Sequence, residues 1–159
     1  MTKELINQYT LKISSSNSTG IIATLFEIYF SYGDDAREAC KCNDKMELVN
    51  AVKQCSKVVS HLQKDLDFKY EISKDLYSLY DFCLRSLAKS IYKADLAGLE
   101  DADKVMKKLQ DAFSQIARAD ESKPMMANAQ YVIAGMTYGR AGLNESMASR
   151  NRGPRGFYA

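Results

Sequence analysis

The sequence predicts an all-α fold: an antiparallel up-down four-helix bundle with an N-terminal arm or short helix and a Gly/Pro-containing C-terminal tail. Three observations carry this. Apolar residues recur at helical spacing in four segments, each of roughly 20–24 residues and so about 30–36 Å long. The links between them are short, which makes sequence neighbours antiparallel. Both prolines, Pro124 and Pro154, and five of the eight glycines lie past residue 122, so the body is free to be helical. The chain of 159 residues therefore divides into a bundle domain, 1–122, and a tail, 123–159, partly helical or disordered.

The arm comes first. Residues 1–13 carry Leu5, Ile6, Tyr9, Leu11 and Ile13. A run rich in helix-capping side chains follows, Ser14-Ser15-Ser16-Asn17-Ser18-Thr19, and predicts a helix over about 18–41. Asn43-Asp44 opens the second helix, with Val52, Cys55, Val59 and Leu62 on one stripe. Ser73 and Asp95 stand where caps are expected for the third and fourth. The third carries Leu76, Tyr80, Cys83, Leu87 and Ile91, and the fourth Leu99, Ala102, Met106, Leu109 and Phe113.

The first long helix departs from the single-stripe pattern. Ile21, Ile22, Leu25, Phe26, Ile28, Tyr29, Phe30 and Tyr32 cover well over half of its circumference. A bundle helix facing solvent needs an apolar stripe of only about 100°. A second cover is therefore required. It is supplied by the N-terminal arm, by tail residues such as Val132, Ile133, Met136 and Tyr138, or by a docked partner helix.

Charge and composition narrow the function classes. The body carries 17 Lys/Arg against 19 Asp/Glu and the tail 5 against 1, so the net +2 sums a slightly acidic bundle and a basic tail. An acidic body disfavours a nucleic-acid surface. Arg150, Arg152 and Arg155 could touch an anionic partner, although short basic tails are commonly only solvated. No apolar run reaches membrane-spanning length and Met1-Thr2-Lys3-Glu4 lacks a signal-peptide pattern, so the expected location is cytoplasmic, without membrane insertion. Four cysteines then read as reduced thiols.

No enzyme site or cofactor is expected. His61 is the single histidine, without a second one for a metal or proton relay, and the Glu-x-x-His pair of di-iron bundles is missing. Cys40-Lys41-Cys42 has neither redox-motif spacing nor a matching pair. Asp34-Asp35 reads as a solvated face, and Asp101 and Asp103 as solvated or dipole-matched first-turn residues. Gly139-Arg140-Ala141-Gly142 lacks the Gly-Lys-Ser/Thr of a phosphate loop.

A resemblance gives this pattern a function. Leu66-Asp67-Phe68, Glu71-Ile72-Ser73, the stretch Leu76-Tyr77-Ser78-Leu79-Tyr80-Asp81-Phe82-Cys83-Leu84-Arg85 and the turn Ala94-Asp95-Leu96 stand in the order found in one family. Tyr9 and the step Leu25-Phe26-Glu27 add to the match. Over about residues 5–118 the chain resembles the flagellar secretion chaperone family FliS. It departs where members commonly read Ser-Pro-Glu-Glu-Leu, here Asn17-Ser18-Thr19-Gly20-Ile21, and where a glycine is common, here Ile28.

The resemblance implies a cytoplasmic chaperone that binds the C-terminal disordered helices of flagellin, prevents premature polymerisation and hands the subunit to the export-gate protein. It implies that the arm, with Tyr9, caps a groove when flagellin is absent. Tyr9, Ile13, Ile22, Leu25, Phe26, Tyr29, Tyr80 and Leu87 are the expected partner-binding residues. An exposed groove would also allow weak self-association. The alternative function is a helical adaptor or chaperone for a different secretion client.

Overall fold

A computed structural model describes residues 2–125, and every regular element among them is a helix. The helices are α1 (Lys3–Ser14), α2 (Ser18–Lys41), α3 (Lys45–Lys64), α4 (Ile72–Lys93) and α5 (Ala97–Ala119). The expected arm is thus a three-turn helix, and α2 spans the predicted 18–41. The tail beyond residue 125, with Val132, Ile133, Met136, Tyr138 and the three arginines, lies outside the described residues.

Local chemistry starts two helices as the sequence predicts. Asn17 Oδ1 accepts from Gly20 N–H at 2.9 Å at the start of α2. Asp44 Oδ1 accepts from the N–H groups of Met46 and Glu47, each at 3.0 Å, at the start of α3. The other two caps differ. Helix α4 begins before Ser73, whose buried hydroxyl donates to the Asp67 carbonyl at 2.6 Å and pins the α3–α4 loop. At α5 the cap position belongs to Leu96, while Asp95 accepts from Ala97 N–H at 3.2 Å. A leucine side chain cannot accept a hydrogen bond, so a residue of another helix substitutes: buried Ser90 of α4 accepts from Leu99 N–H at 2.9 Å.

Packing closes a ring: α2 on α3, α3 on α4, α4 on α5 and α5 on α2, with α1 laid against α2. Thr19 meets Asp120, Phe26 stacks on Phe113 with ring centroids 5.5 Å apart, and Tyr29 meets Asp103, so α2 and α5 run in opposite directions. Phe26, Tyr29, Leu48, Val52, Tyr80, Leu87, Leu99 and Met106 are almost wholly enclosed and form the centre of the core. These large apolar side chains supply the main driving force for folding.

Ala94 ends α4 with φ 53°, a left-handed conformation that crowds its Cβ. Ala94→Gly relieves this crowding but adds freedom to the unfolded chain. The expected net gain is about 0.5 kcal/mol, read as a rise of about 1–2 °C in thermal midpoint. An unchanged or lowered midpoint would contradict it.

Candidate functional site

The surface to consider is the side of α2 that α1 covers. A two-sided apolar helix needs the bundle on one side and a cover on the other, and α1 provides that cover. Lys12 Nζ sits 2.6 Å from the Glu27 carboxylate, an ion pair exposed enough to contribute little by itself. Ile6, Tyr32, Asp35, Glu47, Asn50, Ala51 and Gln54 line a groove of about 330 Å³ on the α3 side. On the α5 side, Lys12, Ser16, Gly20, Ala23, Glu27, Ser114, Ala117 and Arg118 line another of about 280 Å³. Helix α1 therefore lies between two open furrows, and Ile6 remains 46% exposed.

The expected partner-binding residues fall into two sets. Tyr9, Ile13, Ile22 and Leu25 are half-buried, two on α1 and two on α2. Phe26, Tyr29, Tyr80 and Leu87 are core residues with essentially no exposed surface. In this conformation the second set can shape a docking surface only from beneath. Helical periodicity places all four on apolar faces, but it does not distinguish the face turned to the core from the face turned to α1.

A polar cross-tie beneath this surface lay hidden among the charges. Tyr29 O–H donates to Asp103 Oδ1 at 2.8 Å, and Arg37 forms an ion pair with Asp103 Oδ2. Arg37 also pairs with Asp34 at 2.8 Å. Asp103 is not the solvated first-turn residue that the sequence implied; its side chain is 14% exposed. Burial raises its pKa, while the Tyr29 hydrogen bond and Arg37 pull it down. Burial, with Asp103 beside it, also pushes the Tyr29 phenol up. The available signal was spacing: position 103 falls on the edge of the Leu99–Met106 stripe.

The two buried cysteines show no activated thiol. Cys55 and Cys83 are buried, and burial raises both, Cys83 to about 12, the reverse of a nucleophilic thiolate. Among the described residues no group of three or more His, Cys, Asp or Glu side chains has the geometry of a metal site.

The family model described as flagellar protein FliS matches residues 2–120, from the start of α1 to the end of α5. The chain belongs to the FliS family. FliS is a chaperone family, not an enzyme family. Comparison with curated proteins finds no match. Among the described residues of this FliS-family protein, no helix is long and apolar enough to cross a membrane.

Proposed function

We propose that this protein is a cytoplasmic export chaperone that binds the C-terminal disordered helices of flagellin, prevents their premature polymerisation and assists delivery to the flagellar type III export apparatus. Membership of FliS over residues 2–120 carries the reading. Physical support comes from α1, which packs on a helix too apolar to stand uncovered. On this reading the body, residues 1–122, is an antiparallel up-down four-helix bundle, and α1 is an exchangeable cover. Ile22 and Leu25 pack against the core beside this face, Tyr9 and Ile13 belong to the cover, and Phe26, Tyr29, Tyr80 and Leu87 hold the face in shape. An amphipathic client helix replaces α1 apolar side by apolar side. The export-gate protein is a second partner.

Calorimetry with the C-terminal flagellin segment tests this. A client that folds on binding should give a large negative heat-capacity change across a temperature series. Ile22→Ala/Leu25→Ala should weaken binding by about tenfold, with the helical circular dichroism retained. No heat at any temperature from the folded protein would reject flagellin as the client. Undiminished affinity in the double variant would place the docking face elsewhere.

A further inference from the structure

The chain leaving α5 does not run free. Asn17 divides its amide between two tasks. Its Oδ1 caps α2, while its Nδ2 donates to the carbonyl oxygens of Asp120 at 3.1 Å and Ser122 at 3.3 Å. Thr19 O–H donates to Asp120 Oδ2 at 2.6 Å, a charge-assisted bond that holds this carboxyl below its usual range. Met125 N–H donates to the Ser16 carbonyl at 3.1 Å. Residues 120–125 thus touch Ser16, Asn17 and Thr19 across a sequence separation of about one hundred residues.

These partners sit at the one place where α1 can pivot. Helix α1 ends at Ser14 and α2 begins at Ser18, so Ser15, Ser16 and Asn17 form the entire link. Two of the three are bonded to the segment after α5. Helix α1 packs against α2, has exposed Ile6 on its own surface and is flanked by furrows on both sides. Swinging it away requires new backbone angles in the link, which the backbone bond at the Ser16 carbonyl and the side-chain bonds of Asn17 oppose. A short link with two of its residues tied is a locked hinge.

We propose that residues 120–125 form a strap that locks the α1–α2 hinge and keeps α1 seated on α2, so that release of the strap uncovers the face beneath. The regulatory consequence rests on the proposed function, in which that face receives the client; the mechanical claim does not. The strap places control of an N-terminal cover in the segment that begins the tail. Whatever draws residues 120–125 away from Asn17 and Thr19 would favour client entry.

Substitutions can break the strap and spare the cap. Asn17→Asp keeps the Oδ1 acceptor for Gly20 but loses both Nδ2 bonds, and Thr19→Val removes the hydroxyl. In the full chain without client, hydrogen exchange of residues 5–13 should be about tenfold faster in the Asn17→Asp/Thr19→Val protein, with α3 and α4 unchanged. Thr19→Ser, which retains the hydroxyl, should exchange like the parent, and Asp120→Asn, which leaves the cap intact, should be intermediate. Unchanged exchange in α1, or equal acceleration in α3 and α4, would overturn the strap.

Affinity for the C-terminal flagellin segment then tests the consequence. The double variant should bind several-fold more tightly. Faster α1 exchange without tighter binding would overturn the regulatory role. If neither parent nor variant binds the segment, the flagellin reading fails by itself, and the exchange data still decide the strap.

Discussion

Gly98→Ala should lower the thermal midpoint by about 10 °C, the largest loss expected from an alanine at any glycine among the described residues. Gly98 is buried in the first turn of α5, where that helix crosses α4. A Cβ at this position would stand 2.0 Å from the Ser86 carbonyl oxygen, 2.9 Å from the Ser86 carbonyl carbon and 3.0 Å from Ser90 Oγ. Two of these atoms are helix backbone and cannot turn aside. The helices must separate, which also stretches the buried 2.9 Å bond from Leu99 N–H to Ser90. Overpacking together with a weakened buried hydrogen bond costs about 3 kcal/mol. Gly33 is the control: its nearest neighbour for a Cβ is the Arg37 guanidinium at 3.4 Å, an ordinary van der Waals contact. Gly33→Ala should leave stability unchanged or slightly raised through helix propensity. A Gly98→Ala midpoint within about 2 °C of the parent would show that α4 and α5 do not approach as closely as described.

Arg37→Ala should cost about 2 kcal/mol near neutral pH, and the cost should shrink on acidification. The loss is set below that of a fully buried pair because Arg37 itself is more than a third exposed. Without Arg37, Asp103 keeps the Tyr29 hydrogen bond but loses its cation. Burial already raises this carboxyl, and Arg37 is one of the two groups pulling it down. The folded-state pKa of Asp103 therefore rises further in the variant. A raised carboxyl contributes stability that is present below the unfolded-state pKa and is lost as pH climbs through the folded-state value. The gap between parent and variant should accordingly widen as pH rises through the raised Asp103 value and close towards acid. Urea titrations at a series of pH values measure it. Arg37→Ala/Asp103→Asn should remove this pH dependence, since no carboxyl remains to titrate. A gap that is constant with pH would remove Asp103 from the explanation.

Both effects arise where helices meet, and neither was legible in the sequence. Gly98 reads as an indifferent residue near a helix start, and its role depends on the Ser86 carbonyl of another helix. Ser90 reads as a polar break in an apolar stripe, and its hydroxyl caps a different helix from the one that contains it. Ser73 shows the converse: a side chain with the right chemistry for a cap makes its bond to the Asp67 carbonyl, because the helix already begins ahead of it. Capping preference describes what a side chain can accept or donate, whereas tertiary contacts decide which partner it meets.

The excess apolar surface of α2 was legible and informative. It required a cover before any neighbour was known, and α1 lies there. The sequence by itself determined the helical segments, the positions of their apolar stripes and the need for a second layer over α2. These follow from the 3.6-residue period, which assigns each side chain an angle about its own helix axis. Only the tertiary structure decided which neighbour occupies each angle: that Phe26, Tyr29, Tyr80 and Leu87 face the core, that Tyr29 and Arg37 meet on Asp103, and that residues 120–125 reach the α1–α2 link. The physical reason is that periodicity is a local property of one helix, while burial, pairing and strapping depend on where segments far apart in sequence come to rest against one another.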